Sequence, residues 1–172
     1  MYLYTENSDG VVYTSTFQYK HTTALKGNTF YNNKATSGGA IATFVNNFLI
    51  MAECKLSYNN ANRGGAIYLL TGNTLIINYC NFTHNSATVG GGVVYSGNRN
   101  NMTISNSVLK FNTAHSNGGV FCSLIQSNLT IIGNNSFIGN EAHSGGVIYA
   151  SESNVNVPVS YTHLTLPTIY SV

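Results

Sequence analysis

The sequence has little charge, since Asp, Glu, Lys and Arg together make up only 7% of its 172 residues. The seven Lys and Arg residues are scattered singly, so no basic cluster forms the electrostatic footprint of a nucleic-acid-binding protein. Only five residues are acidic, whereas glycoside hydrolysis usually needs two carboxyl groups placed across one bond. We therefore expect no nucleic-acid partner, no catalytic residues, no metal ion and no cofactor.

Long apolar segments are also lacking. No stretch reaches the ~18 apolar residues of a membrane-spanning helix, and the opening residues MYLYTENSDG lack the basic and apolar parts of a signal peptide. No apolar burst keeps a 3.6-residue period over the length that a helix needs. Twenty-five asparagines further disfavour helices, because their side chains compete for backbone hydrogen bonds. The composition predicts strands and turns without a membrane span.

The sequence does contain a repeat with a period of 26 to 28 residues. In each copy a Phe or Leu is followed three residues later by Asn, then by Ala, and then by a double glycine and a short apolar burst. The apolar positions are Phe30, Leu56, Phe82, Leu109 and Phe137. The double glycines fall at 38–39, 64–65, 90–91, 118–119 and 145–146. A fixed period of this size predicts stacked repeats, none of which buries its apolar face alone.

Each copy holds three short apolar bursts separated by Asn- and Gly-containing turns. This pattern predicts an all-β, right-handed parallel β-helix of about five three-strand coils, in which each strand pairs with its equivalent one coil away. The double glycine is expected at a turn between sheets that needs a positive φ or close backbone approach. We assign residues 25–157 to the β-helix repeats and residues 1–24 to an incomplete N-terminal coil.

The last fifteen residues break the pattern. From Pro158 onwards the chain has no glycine, no asparagine and no charged residue. Translated back into codons, VSYTHLTLPT resembles the adapter of transposase-based sequencing libraries. We interpret residues 158–172 as an adapter-derived tail that is not native. The parent chain is expected to continue after Val157 with further coils.

The recurring asparagines form the first candidate site. In a parallel stack their amides would lie above one another, where each can donate to the next and satisfy backbone groups of the turn. We favour this structural role, with a ligand site as the alternative. The column consists of Asn33, Asn59, Asn85, Asn112 and Asn140.

Two of the three cysteines, Cys54 and Cys80, are one period apart. Each stands two residues before a core position, so stacking should place their Cα atoms ~4.8 Å apart, which a disulfide tolerates. The pair forms either a disulfide or stacked thiols that pack as small apolar residues, and we favour the thiols.

Three further groups lie on predicted surfaces. His115 and His143 occupy equivalent positions of adjacent coils, but two imidazoles without a third ligand make only a weak metal site, and we favour solvent-facing loop histidines. Alternation points Tyr68 and Tyr149 outward, where they would form a binding surface or pack between coils. Possible N-glycosylation sequons begin at Asn81, Asn101, Asn128 and Asn134.

The combination of GGAI, at 38–41 and 64–67, with F-x-x-N, at 30–33, 82–85 and 137–140, resembles the repeats of chlamydial polymorphic outer membrane proteins. The resemblance covers roughly residues 10–157. It implies a secreted or cell-surface passenger, located at the outer membrane if bacterial, that adheres to a host-cell or matrix protein or glycan.

An adhesive or structural role without catalysis is thus the expected function. Glu53 and Glu141 come closest to matching repeat positions, but they fall on different edges of the predicted coil, three turns or ~14 Å apart. The alternative is a polysaccharide-binding or polysaccharide-cleaving β-helix whose catalytic residues lie outside this fragment.

Overall fold

The computed structural model describes residues 2–3, 12–14 and 21–158 of the chain. Within these ranges the protein forms twenty-three β-strands and no α-helix. No helix of the described part is therefore long and apolar enough to span a membrane. Strands pair in parallel with their equivalents on neighbouring turns, which stack into a parallel β-helix of about five coils. The predicted fold class is confirmed.

Each coil from Thr29 onward contributes one strand to each of four sheets, which we call A to D in chain order. Sheet A consists of β1 Tyr2–Leu3, β4 Thr29–Tyr31, β8 Lys55–Ser57, β12 Asn81–Thr83, β16 Val108–Lys110 and β20 Ser136–Ile138. Sheet B consists of β5 Lys34–Ser37, β9 Asn60–Arg63, β13 Ser86–Gly90, β17 Thr113–Asn117 and β21 Glu141–Ser144. Sheet C consists of β2 Val12–Thr14, β6 Ile41–Val45, β10 Ile67–Thr71, β14 Val94–Asn98, β18 Phe121–Leu124 and β22 Ile148–Ser151. Sheet D consists of β3 Thr22–Lys26, β7 Phe48–Ala52, β11 Thr74–Asn78, β15 Asn101–Ser105, β19 Asn128–Ile132 and β23 Asn154–Asn156.

The coil is four-sided, so the expectation of three strands per coil is wrong in this detail. The missed side is sheet B, which occupies the segment between the Asn and the double glycine. Its strands are polar, and in β9 only Ala61 of Asn60–Arg63 is fully buried. A single buried alanine gives too little alternation to indicate a strand, although the backbone still pairs in parallel with the neighbouring coils.

The core lies inside the coil and follows the predicted register. Phe82 of β12 faces Leu56 of one neighbouring coil and Leu109 of the other, and all three side chains have 0% exposure. The inward residues of sheet D, such as Leu75 and Ile77, are buried as well. A large apolar side chain gains about 1.5–3 kcal/mol from such burial, so these stacked residues are a principal source of stability.

The two glycines of each pair have different roles. The first adopts a left-handed conformation, with φ +64° at Gly64, which glycine adopts without a steric penalty. The second packs against the next coil, so that a Cβ on Gly65 would lie 2.3 Å from the carbonyl oxygen of Gly92. The predicted positive φ and close approach therefore belong to separate residues.

The third copy contains one extra residue before its glycines. Ala87 pairs with Ala61 and Gly90 pairs with Arg63, so one strand holds two intervening residues where the other holds one. This is the signature of a β-bulge. The left-handed glycine is Gly91, with φ +64°. Gly91 and Gly92 are thus the glycines that correspond to Gly64 and Gly65, and the predicted pair 90–91 is wrong by one position.

Two of the segments predicted from the sequence lie partly or wholly outside the residues that the structure describes. Most of the N-terminal segment 1–24 and all of the predicted adapter tail beyond Pro158 lie outside the described ranges. Within residues 25–157 the repeats run without interruption from β4 to β23.

Candidate functional site

The Asn column occupies the corner between sheets A and B, where its members are 0–6% exposed. The amide oxygen of Asn85 accepts hydrogen bonds from the backbone N–H and the side-chain amide of Asn59, at 3.1 and 2.9 Å. Its amide nitrogen donates to the carbonyl oxygen of Leu56 at 2.9 Å and to the amide oxygen of Asn112 at 3.0 Å. Because these bonds occupy the amide on both sides, the column is structural and offers no open ligand site.

Two further polar ladders fill other corners. Sequence reasoning missed the first, and for the second it predicted the stacking of Cys54 and Cys80 but not the hydrogen bonds. Between sheets C and D, Asn47 donates its backbone N–H to Asn73, Asn73 to Asn100, and Asn100 to Ser127. The recurrence of Asn every 26 to 27 residues was the available signal. Between sheets D and A, the ladder runs through Cys54, Cys80, Ser107 and Asn135. Because its members are Cys, Ser and Asn, a search for one recurring residue type does not find this second ladder.

The two ladder cysteines are free and buried. The backbone N–H of Cys54 donates to the sulfur of Cys80 over 3.4 Å, and the two thiols are also hydrogen-bonded to each other. This contact lowers the pKa of the Cys54 thiol below its ordinary value, while the same contact and burial raise the pKa of Cys80. The structure therefore shows stacked thiols at this position.

A left-handed residue precedes each Asn of the column and turns its side chain away from the core. At three consecutive coils this residue is Tyr58, His84 or Phe111, with φ of 59°, 55° and 55°. A bulky side chain in this conformation costs about 1–2 kcal/mol relative to ordinary backbone. The same left-handed conformation recurs at other corners, for example at Glu53 and Tyr79, so here it serves to direct the side chains outward.

These side chains, together with Tyr31, form a continuous exposed row, which we call the aromatic stack. Tyr31 meets Tyr58 edge to face with ring centroids 5.6 Å apart, Tyr58 lies parallel to His84 at 4.9 Å, and His84 contacts Phe111 at 5.3 Å. The exposed fractions of Tyr31, Tyr58 and Phe111 are 52%, 49% and 48%. The stack thus places about half of each large ring in solvent along one corner.

The aromatic stack ends at Gly139 in the fifth coil. A Cβ on this glycine would lie 2.6 Å from the ring of Phe111, so the Phe111 ring rests on the bare backbone. Small and polar side chains of sheet A, including Ser57, Thr83 and Lys110, border the row. Sequence reasoning missed this site, although the dipeptides Tyr-Asn, His-Asn and Phe-Asn recur with the period of the repeat.

Tyr68, predicted to face outward, is only 8% exposed. It stacks on Tyr95 with a centroid separation of 5.7 Å and meets Phe44 at 6.2 Å. The Arg63 guanidinium lies 5.9 Å from the ring centre of Tyr95, and burial raises the pKa of both tyrosines. Tyr149 is half-buried. The rings on the outer face of sheet C therefore pack against one another between coils, and Tyr68 provides no open binding surface.

The remaining predicted groups lie apart from the aromatic stack. His115 and His143 line a shallow groove on sheet B together with Glu141, but the described residues contain no group of three ligands suited to a metal ion. Glu53 forms an exposed ion pair with Lys26 at 3.4 Å. All four sequon asparagines are exposed, and Asn128 donates a hydrogen bond to Asn101 at 2.8 Å.

Comparison with known proteins agrees with this architecture. The Chlamydia polymorphic membrane protein repeat matches residues 29–44 and residues 79–97. Both stretches run through sheets A, B and C and include the Phe-x-x-Asn corner. No curated protein and no solved structure matches the chain. The chain is therefore a parallel β-helix in which two stretches are similar to the Chlamydia polymorphic membrane protein repeat.

Proposed function

We propose that this chain is part of a secreted or cell-surface β-helix that adheres to a host-cell or matrix protein through its aromatic stack. The repeat type supports a location at the cell surface or outer membrane. The observation that carries the adhesive role is the exposed row formed by Tyr31, Tyr58, His84 and Phe111, in which the rings lie against one another along one corner.

The composition of this row fits a protein partner. Tyr and other aromatic residues are enriched where binding energy concentrates, and a border of polar residues is typical of interfaces. The parallel rings of Tyr58 and His84 cover each other's facing surfaces at 4.9 Å, which leaves less room for a sugar ring to stack between them. A protein surface can instead contact the ring edges and the polar border together.

We further propose that the fragment acts without catalysis. Glu53 is engaged with Lys26 at an exposed site, and Glu141 lies on sheet B beside two histidines rather than a second carboxylate. Neither arrangement supplies the acid and base that glycoside cleavage requires.

Replacing the stack residues by asparagine tests the adhesive role. Asn tolerates the left-handed conformation, so Tyr58→Asn and Phe111→Asn should remove rings without straining the backbone. We expect the double variant to bind cultured epithelial cells at least about tenfold more weakly than the unmodified chain, as for loss of interface anchors. Flow cytometry with the fluorescently labelled chain gives the apparent affinities.

Tyr79→Asn is the matched control. Tyr79 has φ 51° and is 62% exposed, but it lies at the corner between sheets D and A. This variant should bind like the unmodified chain. Equal binding by all variants, or no binding by the unmodified chain, would contradict the proposal. Pretreatment of the cells distinguishes the partner, because protease should abolish binding to a protein and glycosidase should abolish binding to a glycan.

A further inference from the structure

Cys54 and Cys80 differ from every other pair of ladder residues in being two consecutive thiols. Cys122, the remaining cysteine, lies on sheet C, where its strand neighbours are Tyr95 and Tyr149. The ladder position itself requires only an acceptor for the backbone N–H of the preceding coil. Ser107 and Asn135 fulfil that role in the next two coils, with N···O distances of 3.0 and 2.9 Å.

Sulfur is the poorer acceptor at this position. The backbone N–H of Cys54 reaches the Cys80 sulfur only at 3.4 Å, and thiols are weak hydrogen-bond partners in general. A ladder selected only for hydrogen bonding would therefore contain Asn or Ser here. The sequence instead places thiols in two adjacent coils, where the backbone N–H of Cys54 contacts the sulfur of Cys80.

We propose that Cys54 and Cys80 are a site of covalent oxidation, at which a disulfide bond joins the second coil to the third. Equivalent residues of adjacent parallel strands have Cα atoms ~4.8 Å apart, within the range that a disulfide spans. Both cysteines follow a left-handed residue, Glu53 or Tyr79, at a corner. This inference concerns the scaffold and is independent of the adhesive role.

The reaction is a dithiol–disulfide exchange with a small disulfide such as oxidised glutathione. The Cys54 thiolate attacks one glutathione sulfur, which forms a mixed disulfide and releases one glutathione thiolate. Cys80 then loses its proton and attacks the Cys54 sulfur, which expels the second glutathione. Two protein thiols are oxidised and one glutathione disulfide is reduced to two thiols.

Both thiols are at most 2% exposed in the folded chain, so the exchange begins before the second and third coils close. The test is therefore to refold the full chain from urea in a mixture of reduced and oxidised glutathione. We expect the count of free thiols to fall from three to one. Trypsin digestion without reduction should then yield residues 35–55 joined to residues 64–99, because Lys55 and Arg63 separate the two cysteines.

Serine variants provide the controls. Cys122→Ser should still form the linked peptides, whereas Cys54→Ser and Cys80→Ser should not. The oxidised chain should unfold at a higher urea concentration than the reduced chain, while the Cys54→Ser/Cys80→Ser variant should show one midpoint under both conditions. Three free thiols in a chain that has refolded, judged by its β-sheet circular dichroism, would overturn the proposal. Cross-links to Cys122 in comparable yield would overturn it as well.

Discussion

Gly65→Ala is expected to lower the free energy of unfolding by about 3 kcal/mol or more, as overpacking against an immobile neighbour does. The added Cβ would lie 2.3 Å from the Gly92 carbonyl oxygen and 2.5 Å from the Ser86 carbonyl oxygen. Both atoms belong to the backbone of the next coil and cannot rotate away. Separating the coils would also weaken the bond from the Gly65 N–H to the Gly91 oxygen, now 2.9 Å.

Gly27→Ala separates this steric effect from conformational strain. Gly27 has φ +65°, and a Cβ there meets no atom within 4 Å. Its substitution should cost only the penalty of the left-handed conformation, about 1–2 kcal/mol. Urea unfolding followed by circular dichroism compares the two variants. If Gly65→Ala is no less stable than Gly27→Ala, close coil contact does not explain the second glycine of the motif.

Asn85→Ala should lower the free energy of unfolding by about 3 kcal/mol, at the upper end for buried groups left without a partner. The change removes the acceptor of two bonds from Asn59 and the donor to the Leu56 carbonyl oxygen. None of these groups can reach water, because Asn59 and Asn85 are both 0% exposed.

Two variants calibrate this loss. Asn98→Ala changes an exposed residue at the end of β14 and should stay within about 0.5 kcal/mol of the unmodified chain. The loss in free energy of unfolding for Asn85→Ser should lie between the losses for Asn85→Ala and Asn98→Ala, because Ser127 shows that a hydroxyl can accept the ladder N–H bond at 3.2 Å. Equal urea midpoints for Asn85→Ala and Asn98→Ala would refute the stabilising role of the ladder.

The sequence predicted those features in which a single physical requirement selects the same kind of residue in every coil. Phe82 and its equivalents must be apolar because they fill the core, and Asn85 and its equivalents must be Asn because one amide accepts and donates at the same time. Both requirements recur in every coil, so their period is visible. The coil pairing, the Asn column and the closeness of Cys54 to Cys80 follow from that period alone.

The features that sequence did not predict depend on conformation or on several interchangeable residues. Sheet B is held by backbone pairing, so its polar residues give no strand signal. Alternation correctly directs Tyr68 away from the core, but it does not reveal that Phe44 and Tyr95 cover the ring. The aromatic stack depends on the left-handed backbone of Tyr58, His84 and Phe111, which the letters of the sequence do not display.

The ladders also run in one direction, which affects hydrogen-exchange kinetics. The backbone N–H of each Asn donates to the amide oxygen of the following coil, as from Asn59 to Asn85 and from Asn85 to Asn112. In Asn85→Ala the amide proton of Asn59 therefore loses its acceptor, whereas that of Asn112 keeps its bond to Asn140 at 3.0 Å. Exchange measured by NMR should accelerate at Asn59 and remain slow at Asn112. A local defect in such a scaffold is thus transmitted toward the N-terminus, against the order in which the coils are synthesised.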